Sequence, residues 1–358
     1  MKILFFTPYP LKESPSQRFR FEQYFSHIQA NNHSFDTQSF LSKDNWQIFY
    51  KHGLVFQKSF VLLSGFLKRF TGIFKAPFYD FIFIHREMTP VGPPVFEWII
   101  AKVLRKKIIY DFDDAIWLTD KREESILFRI VKWRSKVKYI CRWSHKVSCG
   151  NEYLQQYALL FNPNSIINPT TVDTELEHNP ALVNFSTKRK NITIGWTGSH
   201  STLKYLTEVT PCLQKIQQIH PTVEFLVIAD KKPALDLKSF NFICWNKETE
   251  IQDLASIDIG IMPLPDDEWA KGKCGFKAIQ YMSLNIPSLV SDVGVNSIIV
   301  DHNVNGFLCH TQDDWFAYLD QLLRDESLRH TMGAQGRQKI IDHYSVCSNS
   351  SNFLSLFE

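Results

Sequence analysis

No stretch of this sequence approaches the roughly 18 uninterrupted apolar residues that a membrane-spanning helix needs. Nor does it carry the usual short signatures of common enzyme classes. There is no G-x-S-x-G elbow, no Walker loop and no C-x-x-C, which argues against the common hydrolase, kinase and redox readings. A dinucleotide fingerprint is missing as well, since neither "TPYPLKESPS" nor "WTGSHSTL" gives G-x-G-x-x-G. The seven cysteines, Cys141, Cys149, Cys212, Cys244, Cys274, Cys309 and Cys347, are odd in number and scattered. That suits a reducing compartment better than a disulfide framework. Strong charge of either sign is also lacking. A net charge of +3 is too small to argue for nucleic acid, and no RNA-binding aromatic signature accompanies it. Lone histidines such as His145, His302 and His310 have no metal-ligand spacing and read as structural.

What is present is an ordinary globular composition, 44% apolar and 22% charged, able to bury its own cores. At 358 residues the chain exceeds the roughly 250 to 300 that one core organises, so two domains are expected. The opening "MKILFFTPYP" has too brief an apolar run for a signal peptide and reads as a first buried strand with its loop. Short apolar runs, "KILFF", "DFIFIH", "KIIYDF" and "KVSCG", alternate with helical stretches over the first 165 or so residues. The alternation restarts after residue 190 with "NITIGWTG", "VEFLVIAD", "FNFICWN", "IDIGIMPL", "IPSLVSD" and "NGFLCH". Runs this short and this apolar predict parallel strands buried on both faces, hence two α/β domains. Residues 168–191, rich in Asn, Pro and Thr and without a clean period, read as the linker between domains at 1–167 and 192–340. The end of the chain, 341–358, reads as helical with a break near Asn349.

Phenylalanine is abundant, 29 in all, and much of it lies in the first half among lysines and arginines. Between Ile48 and Phe81, Phe56, Phe60, Leu63, Phe66 or Leu67, and Phe70 recur at helical spacing beside Lys51, Lys58, Lys68, Arg69 and Lys75. Such a pattern fits a core helix with a solvated basic face or a helix lying on an anionic bilayer, and periodicity alone does not choose. Residues 121–146 repeat it, with Ile126, Ile130, Trp133, Val137 and Ile140 down one side. There too, core packing and contact with an anionic acceptor or bilayer are both open.

In open α/β sheets ligands bind where strands end at their carboxyl side, so the loops there matter most. The stretch "KGKCGFKAIQYMSLNIPSLVSDVG", 271–294, sets glycines and lysines in front of an amphipathic helix. The positive end of a helix attracts concentrated negative charge such as a diphosphate, and glycine lets the backbone come close. Lys273, Cys274, Gly275, Phe276 and Lys277 stand where that can happen; a plain helix cap with solvated lysines is the alternative.

These loops carry a resemblance. "NPTTVDTELE" (168–177), "ITIGWTGSHSTLKYL" (192–206) and above all "GFKAIQYMSLNIPSLVSDVGVNSIIVDHNVNGFL" (275–308) resemble the donor domain of family 4 glycosyltransferases, while "MKILFFTPYP" and "YDFIFIHRE" resemble strands of the acceptor domain. The resemblance spans nearly the whole chain and implies a GT-B fold, two Rossmann-like parallel-sheet domains facing across a cleft, with 341–358 crossing back to the first. By resemblance the 273–277 loop meets the diphosphate and the transferred sugar. The family's E-x7-E carboxylates are replaced here by Gly272 and Gln280, and its phosphate-loop Arg and Lys by Trp196 and Ser201. An amide such as Gln280 still accepts and donates a hydrogen bond to a ribose. Gly198, Ser199 and Thr202 offer backbone and hydroxyl donors, with Lys204, Lys273 and Lys277 as nearby cations and Asp267 as a further candidate for the sugar.

On the acceptor side, "IIYDFDDAIW" (108–117) places three aspartates at a strand end, where they would repel unless solvated, paired or metal-bound. The resemblance points to Asp113 and His85 as cleft residues positioning donor and acceptor, with local capping and ion pairing as the alternative. Arg18 and Arg20 are candidates for the diphosphate or an anionic acceptor, or else helix-surface arginines. The implied activity is retaining, metal-independent transfer of a sugar from a nucleotide diphosphate to a glycan or lipid-linked acceptor, in the synthesis of cell-surface polysaccharide or glycoconjugate, without a cofactor or nucleic acid. The implied place is the cytoplasm, with peripheral contact to the inner face of the plasma membrane. The replaced carboxylates leave open a non-catalytic relative that binds a nucleotide sugar or a partner glycosyltransferase.

Overall fold

A computed structural model describes the chain apart from residues 52, 120–124 and 184–190. Parts of the expected 48–81 and 121–146 stretches and of the 168–191 linker therefore lie outside the described residues. The chain divides into two compact units, Met1–Thr170 together with Asn349–Glu358, and Thr171–Ser348.

In the first unit six strands form one sheet: β1 (Lys2–Thr7), β2 (Ser34–Ser39), β3 (Phe81–His85), β4 (Lys107–Phe112), β5 (Lys146–Cys149) and β6 (Ser165–Ile167), in the order β2-β1-β3-β4-β5-β6. Every pairing is parallel. In the second unit β7 (Thr193–Gly198), β8 (Glu224–Ala229), β9 (Asn241–Cys244), β10 (Ile259–Met262), β11 (Ser288–Ser291) and β12 (Gly306–Cys309) run β12-β11-β10-β7-β8-β9, again all parallel. The fold is the mixed α/β, two-sheet architecture that the apolar runs predict. All five residues of β3 are buried, as are all but the first of β1 and β4, because helices cover both faces of each sheet.

Three helical expectations need correction. The 48–81 stretch is two helices, Lys43–Tyr50 and Val55–Lys75, separated at Gly53 and Leu54, both of which have positive φ. The longer helix does not bury its phenylalanine stripe. Its inner face is Val61, Gly65, Arg69, Gly72 and Ala76. A Cβ on Gly65 would lie 2.4 Å from the Phe40 ring and one on Gly72 2.6 Å from Phe6, so the helix sits too close to the sheet for larger residues. Arg69, fully buried, donates from Nε to the Met88 carbonyl (2.7 Å), from Nη1 to Gln38 (2.5 Å) and from Nη2 to Thr7 (2.6 Å). Burial brings its pKa down to about 9, which leaves it charged at neutral pH. The 126–146 stretch is also broken, at Trp133 (φ 50°), into Ile126–Lys132 and Lys136–Trp143. Only the second buries its apolar face, through Val137 and Ile140. Near the carboxyl end the break falls at Tyr344 and Ser345, and Asn349 lies within the helix Val346–Leu354.

A polar cluster sits inside the first unit where strands β3, β4 and β5 run side by side. Asp111 on β4 is fully buried and ion-paired with the equally buried Arg20, which also donates to the Asn168 carbonyl and, at 3.2 Å, to Ser148. Ser148 donates to Asp111 at 2.6 Å, and His85 Nδ1 lies 2.8 Å from the other carboxylate oxygen. Burial by itself would raise the Asp111 pKa, but the Arg20 charge and the His85 hydrogen bond hold it well below the usual carboxylate range. The carboxylate is therefore a fixed anion on which three strands and the first loop converge.

Removing one partner of such a pair leaves the other charged and buried. Asp111→Asn should lower the stability of the first unit by about 3–5 kcal/mol at neutral pH, measured from the urea midpoint. Because the folded pKa lies below the unfolded one, this contribution is complete above about pH 4 and fades as acid approaches the folded value. The gap between wild type and variant should shrink below about pH 4; a gap unchanged in acid would mean that the carboxylate's charge is not what stabilises the cluster.

Candidate functional site

Strand order reverses between β7 and β10 in the second unit, since β8 and β9 lie on one side of β7 while β10, β11 and β12 lie on the other. The carboxyl ends of these two strands are the place where an open α/β sheet offers a crevice. Two chain segments meet there. One leaves β7 at Gly198 and continues through Ser199 into a 3-10 stretch, His200–Glu208. The other follows β10 and leads into the helix Phe276–Ser283.

The helix is seated by Tyr281, whose hydroxyl accepts the Thr197 N–H at 2.9 Å, and whose ring packs on Gly260 of β10. One turn earlier, Lys277 sets its ammonium 5.4 Å from the centre of the Trp196 ring on β7. The first helical turn therefore stands beside the end of β7. Its N-cap is Gly275, left-handed at φ 65° and making no side-chain cap. A Cβ there would lie 2.1 Å from Ile299 Cδ1, so the position combines a positive φ with a close approach that only glycine tolerates. Lys273 lies 4.8 Å over the Trp269 ring, and Cys274, Phe276 and Lys277 are half-buried. The end of a helix, no side-chain cap at its first residue and two lysines within three positions of it make an anion-attracting surface.

The other predicted donors are arranged less directly. Ser199 is exposed and its hydroxyl is 2.8 Å from that of Ser201, while Thr202 donates to the Ser199 carbonyl. Lys204 is exposed over the Tyr205 ring at 5.3 Å. Asp267 caps the short helix Glu268–Lys271 by accepting the Ala270 N–H at 2.7 Å. Gln280 is buried, and its Nε2 donates to Glu250 Oε1 at 3.4 Å, an oxygen that also accepts from the Trp245 indole at 3.3 Å. Glu250 is a residue that sequence reasoning missed. It comes from a different helix, Glu250–Leu254, and brings a buried carboxylate against the side chain that stands where the resemblance expects one.

In the first unit the order reverses between β1 and β3. His85 and Asp113, which the resemblance pairs, belong to different clusters. His85 is fully buried between Asp111 and, from its Nε2, the Ser16 hydroxyl at 3.3 Å. Arg20 is likewise enclosed against Asp111. Arg18 ends the helix Pro15–Arg18, largely buried, with its guanidinium 4.7 Å from the Phe19 ring centre. Asp113 instead shares Arg86 with Asp114, each carboxylate 2.7 Å from Nη2 and all three side chains partly exposed. Burial alone would lower the Arg86 pKa, yet the two carboxylates raise it well above its ordinary value. Arg86 has φ 59°, a rare conformation for a residue with a side chain. The three aspartates of "DFDD" thus avoid mutual repulsion by ion pairing, and among the described residues no group of His, Cys, Asp and Glu is placed to hold a metal ion.

Residues 232–339 match the family described as glycosyl transferases group 1. No curated protein matches the chain. Among solved structures, Anabaena HepE in complex with UDP-glucose is similar over 99% of both chains, with 15% identity and a TM-score of 0.70. The sucrose-phosphate synthase of Thermosynechococcus elongatus is similar over 99% of this chain and 98% of its own, at 13% identity and a TM-score of 0.69. A glycosyltransferase from Rickettsia africae is similar over 99% and 97%, at 13% identity and 0.69. Part of the second unit thus matches the glycosyl transferases group 1 model, and the chain as a whole has the GT-B fold of solved glycosyltransferases.

Proposed function

We propose that the protein transfers a sugar from a nucleoside diphosphate donor to a glycan or lipid-linked acceptor, with retention of anomeric configuration, for cell-surface polysaccharide or glycoconjugate synthesis. The observation that carries this reading is the beginning of the Phe276–Ser283 helix, with left-handed Gly275 as its N-cap and Lys273 and Lys277 beside it, at the switch point of a parallel sheet. A diphosphate gathers more negative charge in a small volume than most metabolites, and it is the leaving group of this chemistry. Helix dipole, backbone N–H groups and lysines that meet it stabilise the charge that grows as the glycosidic bond breaks.

In this reading the lysines supply the positive charge for the departing diphosphate, and the step needs no metal ion. The Gln280–Glu250 pair stands in for the missing carboxylate and engages the ribose. The Asp113–Arg86–Asp114 cluster at the end of β4 contributes to acceptor recognition. Asp111, Arg20 and His85 fix the first unit's strand ends and position that cluster. HepE, of the same fold, has been solved with UDP-glucose and with UDP, which makes UDP the first nucleotide to try. An odd, scattered set of cysteines favours a cytoplasmic setting for this reaction.

Calorimetric titration with UDP, GDP and ADP tests the donor side, followed by donor hydrolysis and transfer assays with NMR of the product anomer. Saturable binding of one nucleotide with turnover supports the proposal. Binding without hydrolysis or transfer to any acceptor would instead indicate a nucleotide-sugar binder without catalysis.

Lys277→Ala should weaken binding of that nucleotide by about 1.5–3 kcal/mol, the scale of a hydrogen bond to a charged group. Undiminished affinity in the titration removes Lys277 from the site. Gly275→Ala should cost about 1–2 kcal/mol of stability from its backbone conformation alone, plus the clash with Ile299, and should lower nucleotide affinity as the first turn shifts. Asp113→Asn should lower kcat while the calorimetric affinity for the nucleotide stays unchanged; a parallel loss of affinity would move Asp113 to the donor side.

A further inference from the structure

The helix Val55–Lys75 turns its large apolar side chains outward. Phe56, Phe60, Leu63, Leu67, Phe70 and Phe74, spaced four and three residues apart, form one stripe along its outer side and are 56% to 93% exposed. Rotating the helix cannot hide them. Gly65 and Gly72 admit no larger side chain against Phe40 and Phe6, and Arg69 would lose three backbone carbonyls in a fully buried setting. The stripe is therefore held in the open by the packing on the helix's other face. Exposed apolar patches of this extent mark interaction surfaces.

Charge indicates the partner. From Val55 to Lys75 the helix contains no acidic residue, while Lys68 and Lys75 lie along one edge of the stripe next to Gln57, Ser64 and Thr71. A row one side chain deep, roughly 30 Å long at about 1.5 Å per residue, matches the shallow burial of a helix lying in the headgroup boundary. Lysines on the edge of such a row extend to lipid phosphates while their methylenes stay apolar. The same heptad-like spacing would also suit a second copy of the helix, but two all-basic helices would then meet without a carboxylate between them. Among the described residues no helix is long and apolar enough to cross a membrane, so the contact is with a surface. The helix Ile126–Lys132 in the same unit repeats the composition, with Ile126, Leu127 and Ile130 exposed around Arg129.

We infer that the Val55–Lys75 helix is a docking face for an anionic phospholipid bilayer, its phenylalanines entering the headgroup region and its lysines pairing with lipid phosphate. This stands independently of the nucleotide chemistry of the second unit. The test is flotation of the full chain with vesicles of phosphatidylcholine alone and with 30% phosphatidylglycerol or so. The protein should float with the anionic vesicles, weakly with the neutral ones, and less as salt rises. The combined variant Phe60→Ser, Leu67→Ser and Phe74→Ser should reduce binding roughly tenfold or more, and Lys68→Glu with Lys75→Glu should abolish the preference for anionic lipid. Circular dichroism and thermal melting should be unchanged in both, because the substituted side chains lie on the outer side. Wild-type protein left unbound by anionic vesicles, or a serine variant that floats as well as wild type, overturns the inference. So does a wild-type dimer in sedimentation velocity that the serine variant dissociates in the absence of any flotation, since a second copy would then be the occupant.

Discussion

A parallel strand packed by helices on both faces has no wet side, so each polar group on it must be satisfied inside or moved to the strand's end. Strand β4 of the first unit and strand β7 of the second answer that constraint in opposite ways. In the first, β4 carries Asp111 inside the sheet and surrounds it with Arg20, His85 and Ser148 until no charge is left uncompensated. In the second, β7 ends in Trp196, Thr197 and Gly198, and the polar work is left to loops and to a helix beginning. One unit thus gains a rigid charged interior and the other an open, cation-lined edge.

This division separates side chains locked into the interior from side chains that reach solvent. His85 and Arg20 are committed to Asp111 and are best understood as the framework that fixes where the ends of β3 and β4 lie. Asp113, Asp114 and Arg86 are placed one to three residues further along, where the side chains regain partial contact with solvent. Lys277 is held over Trp196 in a way that keeps its ammonium near the end of β7, so the negative face of an aromatic ring helps to orient the cation.

Among the described residues, ten of the twelve strands were legible as apolar runs, because a strand covered on both sides has to be almost wholly apolar. The two that were not, β2 and β6, are edge strands. "SFDTQS" alternates weakly and "SII" is three residues long, so neither pattern rises above a loop. The 273–277 loop was legible because charge and glycine coincide before a periodic segment. Glu250 was not, because its partner Gln280 lies 30 residues away and neither residue has a local pattern. Arg86 was hidden for a different reason: its signal is a positive φ, which the sequence "HRE" does not announce. Periodicity also named the apolar stripe of the Val55–Lys75 helix correctly and could not tell which way it faces. That was decided by Gly65, Gly72 and Arg69, residues that a hydrophobicity pattern counts as weak or wrong for a core.

Arg69 has a consequence for handling the molecule. A guanidinium locked to the carbonyls of Thr7, Gln38 and Met88 makes the helix's orientation part of the fold itself, so turning its outer rings inward would strip a buried charge of three acceptors. Colloidal behaviour should then depend on the surroundings more than composition suggests, since micelles or nanodiscs supply an apolar phase for those rings that plain buffer does not.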